Sequence, residues 1–233
     1  GDWVSGTIVE HAVIRDASRG LYIWDTGFYG DEITFENNGT AVELRKARDV
    51  YVKNSQFLNN GFGFWSEYQD SVGDPTGDLE SIYIWGNRFS DNDTAVDMNI
   101  NQRSLTNVEI KNNTFLDNSS NGVRIGGGGD GVHANGVYID GNTFQANGTP
   151  INIDRLYSAI LDPWSVEITN NIIEGSVSNW MTIGSTQGNA KVLIRDNIIA
   201  DNAGAFVSTY RNDGVHFEGN AVIRNAGGIR VNA

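Results

Sequence analysis

The chain has 233 residues, of which 39% are hydrophobic and 19% charged, and this composition excludes a disordered protein. The formal net charge of −13 argues against a duplex nucleic acid or an acidic lipid surface as partner, because such binding depends on Lys and Arg neutralising phosphates. No cysteine is present, which excludes disulfides and thiolate metal sites, and no apolar run is long enough to span a membrane. With 28 Gly and 28 Asn, the sequence predicts many sharp corners.

One pattern recurs along the whole chain: an alternating strand, a polar corner, a large apolar residue, and an Asn three positions later. Segments such as VEIKNNTFLDN and VYIDGNTFQAN show it clearly. We take the apolar residue as the anchor of each unit, and 22 residues as the minimum repeat. The anchors are Val13, Phe35, Phe57, Phe89, Phe115, Phe144, Ile173, Ile199 and Val222.

Two columns of Asn accompany the anchors. Two residues before the anchor stand Asn87, Asn113, Asn142, Asn171, Asn197 and Asn220, with His11 and Ser55 in the earlier units. Three residues after it stand Asn38, Asn60, Asn92, Asn118, Asn147, Asn202 and Asn225, with Asp16 and Ser176 as exceptions. Asn tolerates the left-handed backbone of corners, and its amide can bond to the amide of the next unit. We therefore predict two ladders.

A second short strand follows each corner, as in LYIW, VDMN and INID. Units of this size cannot bury a core alone, but stacked units can. A leucine-rich horseshoe is an alternative, although its Leu-rich helical segment is missing. An antiparallel sandwich would need tight hairpins between paired strands, and these are not found.

These repeats resemble the right-handed parallel β-helix superfamily, the pectate-lyase-like solenoids with Asn ladders and stacked aromatics. The resemblance extends from about Thr7 to Val231. It implies an all-β fold in which residues 1–233 form one right-handed parallel β-helix of about nine coils. It does not imply one function, because this fold carries lyases, hydrolases, epimerases, adhesins and spacers.

Stacked coils bring outward residues at one position into a column. On the second strand the first column reads Tyr22, Glu43, Trp65, Asp97, Arg124, Asn152, Thr182, Val207 and Arg230. The neighbouring column reads Trp24, Arg45, Glu67, Asn99, Gly126, Asp154, Gly184, Thr209 and Asn232. We expect the middle coils to expose an aromatic ring beside carboxylates, amides and an arginine, which is typical of a sugar site. Ordinary cross-strand ion pairs are the alternative.

The candidate catalytic carboxylates are Glu67, Asp97 and Asp154, since hydrolysis needs two such groups about 5 to 9 Å apart. The candidate substrate-binding residues are Trp65, Asn99, Arg124, Asn152, Arg155 and Tyr157. Arg124 or Arg155 would neutralise a uronate, and Tyr157, or Tyr68 outside this set, would donate a proton. Whether the protein is an enzyme stays open, with a polysaccharide lyase or glycoside hydrolase as the candidates.

Extra residues fall at one corner, after the second strand, and predict loops that wall a groove beside these residues. The extra segments are 68–78, 100–105, 126–134, 155–163 and 184–188. The first strand carries an aromatic strip of Tyr29, Tyr51, Tyr83 and Trp85, interpreted as a stacked surface ladder or a second glycan surface. Thr7 and Val9 are assigned to the same two columns as this strip.

No cofactor is predicted, and no metal site among the candidate residues. Calcium is considered only at Asp70, Asp74 and Asp78, four residues apart in one loop. The three His residues are placed in different coils, which argues against a His metal site. Asn38, Asn92, Asn112, Asn118 and Asn147 each begin an Asn-x-Ser/Thr sequence, but ladder positions could be too buried to carry a glycan.

The sequence therefore predicts a secreted or cell-surface β-helix that interacts with a polysaccharide or glycan and could degrade an acidic one. The alternative is a non-catalytic structural segment of an adhesin or filament. We expect no nucleic acid partner and no membrane insertion. We also expect end-to-end contacts with neighbouring domains or subunits, as a segment of a larger protein or assembly would make.

Overall fold

A computed structural model describes residues 6–66, 78–99, 104–126, 132–158, 164–208 and 214–231. Every regular element in these residues is a β-strand, and every pairing is parallel. The strands form three sheets that the chain visits in turn, which confirms the predicted solenoid. Each sheet contains a path of nine stacked strands. Seven positions in each path have a neighbour on both sides, so the expected nine coils correspond to seven fully flanked turns and two terminal ones.

The first sheet holds the longest strands. Its main path runs through Gly6–Glu10, Gly27–Asp31, Arg48–Lys53, Leu79–Trp85, Ser104–Lys111, Val132–Asp140, Val166–Thr169, Val192–Arg195 and Val215–Glu218. Alternate side chains of these strands point inward, as the period of two requires, and build one wall of the core.

The second sheet holds three-residue strands centred on the anchors. They are Val13–Arg15, Thr34–Glu36, Gln56–Leu58, Arg88–Ser90, Thr114–Leu116, Thr143–Gln145, Ile172–Glu174, Ile198–Ala200 and Ala221–Ile223. The phenylalanine anchors are fully buried and stack coil upon coil, with 4.4 to 5.0 Å between ring centroids from Phe35 to Phe144. This stack forms the second wall of the core.

The third sheet closes each coil. Its strands are Arg19–Trp24, Thr40–Arg45, Phe62–Ser66, Thr94–Asn99, Asn121–Gly126, Thr149–Ile153, Met181–Ile183, Phe206–Ser208 and Ile229–Val231. Small residues on this sheet give the phenylalanine stack its space. A Cβ added at Gly63 would lie 2.9 Å from a ring atom of Phe89, and one at Gly122 would lie 2.8 Å from Phe144.

Both predicted Asn ladders are present at the corners. In the first, each side-chain amide donates to the amide oxygen of the next coil, without interruption from Asn87 to Asn220, at 2.8 to 3.1 Å. The same oxygen also accepts a backbone N–H, as Asn142 does from Asn113 at 2.9 Å. The second ladder runs from Asn38 to Asn147, is interrupted at Ser176, and resumes from Asn202 to Asn225. These bonds satisfy polar groups that the corners bury.

The first coil corrects the predicted register by one residue. Ile14, and not Val13, pairs with Phe35, so the first repeat is 21 residues long. Ile8 and Glu10, and not Thr7 and Val9, therefore pair with Tyr29 and Asp31. The prediction was wrong because it placed a 22-residue unit on a shorter coil, and a slip of one residue exchanges the two faces of a strand.

The extra segments also differ from the predicted loops. Residues 104–105 and 132–134 lengthen first-sheet strands, while Leu156–Ser158 and Thr186–Gly188 form two further strands of that sheet. Backbone pairing of these segments satisfies donors and acceptors that a loop would leave to water. The remaining parts of the extra segments lie mainly outside the described residues.

Candidate functional site

The third sheet places the predicted outward column in register. Trp65 pairs with Asp97, Asp97 with Arg124, and Arg124 with Asn152 in consecutive coils. The column continues to Glu43 and Tyr22 on one side. We call the outer surface around Trp65, Asp97, Arg124 and Asn152 the third-sheet face. Neighbouring strands are about 4.8 Å apart, so these side chains form one continuous strip.

Asp97 is less exposed than the sequence predicts. Its side chain keeps 6% of its accessible surface, while Arg124 beside it keeps 31%, and Arg124 Nη1 lies 3.2 Å from Asp97 Oδ2. Burial raises the pKa of the Asp97 carboxyl above its usual value, and the hydrogen bond and charge of Arg124 oppose that rise only in part. The Oδ1 atom is buried without a hydrogen-bond partner among the described residues. Asp97 thus lies beneath the surface, and Arg124 covers it.

Glu43 was assigned to the same outward column, and its side chain is completely buried. Arg19 Nε lies 2.8 Å from Glu43 Oε2. The column therefore alternates aromatic rings with buried carboxylates, each paired with an arginine at the surface. The sequence pattern predicted the column but not how deeply its side chains are buried, because a long arginine can fold over a shorter acidic neighbour.

Aromatic rings provide the apolar part of the face. Trp65 is half-buried and stacks on Phe62, with 5.6 Å between ring centroids. Further along the sheet, Trp24 is 53% exposed, and the Arg45 guanidinium lies 5.3 Å from the centroid of its ring. Such partly exposed rings can stack on the apolar face of a sugar.

Three further predicted site residues, Asn152, Asn99 and Asp154, lie on strands of the third sheet or directly after one. Asn152 is half-buried and its amide donates to Asn121 at 3.4 Å. Asn99 pairs with Gly126 through its strand, while the position of its side chain is not described. Asp154 is half-buried, and its Oδ1 would lie 2.9 Å from a Cβ added at Gly184, which places it over that glycine. Glu67 and Tyr68 lie outside the described residues.

Arg155 and Tyr157 lie around the corner from this face. Arg155 is exposed and has a φ of 44°, the left-handed conformation of a corner residue. Tyr157 belongs to the strand Leu156–Ser158 and pairs with His133 of the first sheet. The structure therefore does not place Tyr157 in the column of Trp65, Asp97 and Arg124.

His133 is a residue that the sequence analysis did not associate with the site. Its ring is in edge contact with Tyr157, with 4.7 Å between centroids, and both residues are half-buried. Ser104 and Gln187 occupy the same column on either side. The pairing was missed because the strands that create it lie in segments interpreted as loops. It brings an imidazole and a phenol together near the end of the third-sheet face.

The aromatic strip on the first sheet has the predicted order from Tyr29 onward. Tyr51 and Tyr83 stack at 4.4 Å, and Trp85 meets both rings edge-on. Lys53 pairs with Asp31 at 3.1 Å in the column of Trp85. The rings contact one another closely, as expected of a ladder that stabilises the sheet.

Two of the three residues considered for calcium, Asp70 and Asp74, lie outside the described residues. Asp78 is described, and its Oδ1 accepts the backbone N–H of Ser104 at 2.8 Å. Within the described ranges no group of three or more His, Cys, Asp or Glu side chains is arranged to hold a metal ion. The same residues contain no helix with the length and apolar character needed to cross a bilayer.

Comparison with known proteins agrees with this architecture. Residues 4–144 match the family model described as a right-handed β-helix region. The match covers more than half of the chain, so the protein belongs to this family of parallel β-solenoids. No curated protein matches the chain. The family defines the fold, and the fold alone does not assign a reaction or a ligand.

Proposed function

We propose that this β-helix is a secreted or cell-surface protein that binds a polysaccharide along the third-sheet face. The observation that supports this most directly is the alignment of half-exposed Trp65 with Arg124 and Asn152 in successive coils. An aromatic ring can stack on one sugar while the guanidinium and amide bond to hydroxyls or carboxylates of its neighbours. Acidic sugars fit this strip best, because the Arg124 side chain keeps 31% of its accessible surface while it pairs with Asp97.

A glycan array with neutral, uronate-containing and sulfated chains tests this proposal. Binding should be concentrated among the uronate-containing chains and should be lost in Trp65→Ala. The Trp85→Ala variant removes a partly exposed tryptophan from a different sheet and serves as the matched control. Binding that survives Trp65→Ala and fails in Trp85→Ala would transfer the function to the first sheet and contradict the proposal.

Catalysis is the finer part of the proposal. Asp97 would be the acid once Arg124 turns to a bound uronate and uncovers it, because burial raises the pKa of its carboxyl and keeps it protonated to higher pH. Asp154 or Glu67 would supply the second carboxylate that hydrolysis requires. Turnover assays on acidic polysaccharides decide between a binding protein and an enzyme: loss of activity in Asp97→Asn with retained glycan binding would support the catalytic form.

A second candidate function is a rigid structural segment of an adhesin or filament, with end-to-end contacts between neighbouring domains or subunits. The uninterrupted ladder from Asn87 to Asn220 favours it, since continuous amide bonding is typical of stiff stacked strands. Assembly of the protein into rods that bind no glycan would support this function instead.

We also propose that Asp78, together with Asp70 and Asp74, binds calcium. Calorimetric titration of the protein with Ca²⁺ is the test.

A further inference from the structure

The five Asn-x-Ser/Thr sequences occupy two different kinds of position. Four acceptor residues lie in the second Asn ladder and are at most 2% exposed: Asn38, Asn92, Asn118 and Asn147. The side-chain nitrogen of each donates to two carbonyl groups. Asn118, for example, donates to the backbone of Phe89 at 3.2 Å and to Asn147 at 2.8 Å. A nitrogen held in this way cannot reach an enzyme while the protein is folded.

Asn112 is the exception. It stands at the exposed corner between the first and second sheets, next to the ladder residue Asn113. Its φ of 55° is the left-handed conformation that turns the chain at this corner. Its side chain is exposed and has no hydrogen-bond partner among the described residues.

The Asn112 side chain lies over the glycine of the next coil, since its Oδ1 would be 2.6 Å from a Cβ added at Gly141. Gly86 and Gly141 are the corresponding corner residues of the two neighbouring coils. The backbone N–H of each, like that of Asn112, donates to a backbone carbonyl of the next coil. Asn54 and Asn170 at other coils of this corner donate to Asp31 and Asp140 instead. Because Asn112 is exposed and the residue beneath its amide has no side chain, the amide is approachable from solvent.

We propose that Asn112 is the N-glycosylation site of this protein, and that it accepts a sugar activated as a diphosphate ester. The amide nitrogen forms a bond to the anomeric carbon, whose bond to the diphosphate oxygen breaks. The diphosphate leaves with the bonding electron pair, and the nitrogen releases one proton to a base of the transferase. Thr114 supplies the hydroxyl of the recognition sequence and lies half-buried on the next strand.

The modification would not obstruct the third-sheet face. The corner at Asn112 joins a first-sheet strand to a second-sheet strand and is not a corner at which the chain enters or leaves the third sheet. A glycan at Asn112 would therefore shield an edge of the solenoid that the third sheet does not share. This inference does not depend on the proposed polysaccharide binding.

The test is sugar transfer to the folded protein by a purified N-glycosyltransferase with a nucleotide-diphosphate sugar as donor. The transferase must first be shown to modify synthetic peptides that cover each of the five sequences. Peptide mapping should then find one sugar on the folded chain, at Asn112. Asn112→Gln and Thr114→Ala should abolish transfer, and Thr114→Ser should retain it.

Secretion from a eukaryotic host provides a second measurement, with a lipid-linked donor. Because this transfer precedes folding, the experiment tests Asn112 alone: the secreted product should carry a glycan there, and Thr114→Ala should remove it. Absence of the glycan at Asn112 in either experiment, or a sugar at any of the four ladder residues when transfer is to the folded protein, would overturn the proposal.

Discussion

Arg124 lies one coil beyond Asp97, and its Nη1 atom is 3.2 Å from Asp97 Oδ2 although 27 residues separate them in the chain. The pair shows how the solenoid forms a surface from distant parts of the sequence. It also buries a carboxyl group, and the cost of burying its charge exceeds the help that Arg124 gives. This balance can be measured.

The raised pKa of Asp97 predicts a pH dependence of stability. A carboxyl whose pKa is higher in the folded than in the unfolded state favours folding at low pH, and that contribution is lost as the pH rises through the folded-state pKa. Asn at this position cannot titrate. The free energy of unfolding of Asp97→Asn, relative to the native protein, should therefore rise from about pH 3 until Asp97 is ionised. A relative stability that falls over this range would mean that Arg124 lowers the pKa instead.

The first Asn ladder should contribute strongly to stability. Asn142 accepts from the backbone and side chain of Asn113 and donates to the Ile110 carbonyl and to Asn171. Asn142→Ala leaves at least two buried groups without this partner, at about 1–3 kcal/mol each, so we expect a loss of at least about 2 kcal/mol in urea unfolding. Asn112→Gly, at an exposed corner with positive φ, is the control and should change stability by less than about 0.5 kcal/mol. Equal losses would contradict the role assigned to the ladder.

The packing beside the phenylalanine stack should not accept a side chain larger than that of glycine at position 63. A Cβ at Gly63 would clash with the Ala95 carbonyl oxygen and lie 2.9 Å from the Phe89 ring, and the backbone atom cannot move aside easily. Gly63→Ala should cost about 1–3 kcal/mol by overpacking. Gly228→Ala meets nothing within 4 Å and should be nearly neutral. A tolerated Gly63→Ala would show that the stack is looser than described.

The corrected register of the first coil can be tested by cross-linking, because the native chain has no cysteine. Ile8 pairs directly with Tyr29, whereas Thr7 pairs with Phe28. Cysteines at positions 8 and 29 lie on one face at neighbouring-strand distance and should oxidise to a disulfide. Cysteines at positions 7 and 29 should remain reduced under the same conditions. The reverse result would restore the register predicted from the 22-residue repeat.

Much of the fold was readable from the sequence because the pattern repeats. The Phe anchors and the Asn residues two before and three after them gave the coil boundaries from Phe35 to Val222, and the columns of Trp65 and Tyr51 followed from that phase. The first coil failed because only one repeat fixed its phase, and Ile14 and Val13 are both suitable anchors. The pattern also left Ser176 as a gap in one ladder, which the structure confirms.

The candidate site was less predictable, for physical reasons. Alternation tells which side of a strand a residue occupies but not whether a neighbour covers it, so Glu43 and Asp97 were expected at the surface and lie beneath Arg19 and Arg124. The contact of His133 with Tyr157 depends on strands within the extra segments, where the sequence has no repeat from which strands could be predicted. The repeat therefore could not predict how deeply the carboxylates are buried or which strands form in the extra segments.

The most direct test of the central claim is calorimetric titration of a uronate oligosaccharide into the native protein and two tryptophan variants. If the third-sheet face binds sugar, Trp65→Ala should raise Kd at least about tenfold, equivalent to about 1.4 kcal/mol, and Trp85→Ala should leave Kd unchanged. Circular dichroism would establish that both variants remain folded. A Kd that is the same for the native protein and for folded Trp65→Ala would contradict the assignment of this face as the binding site.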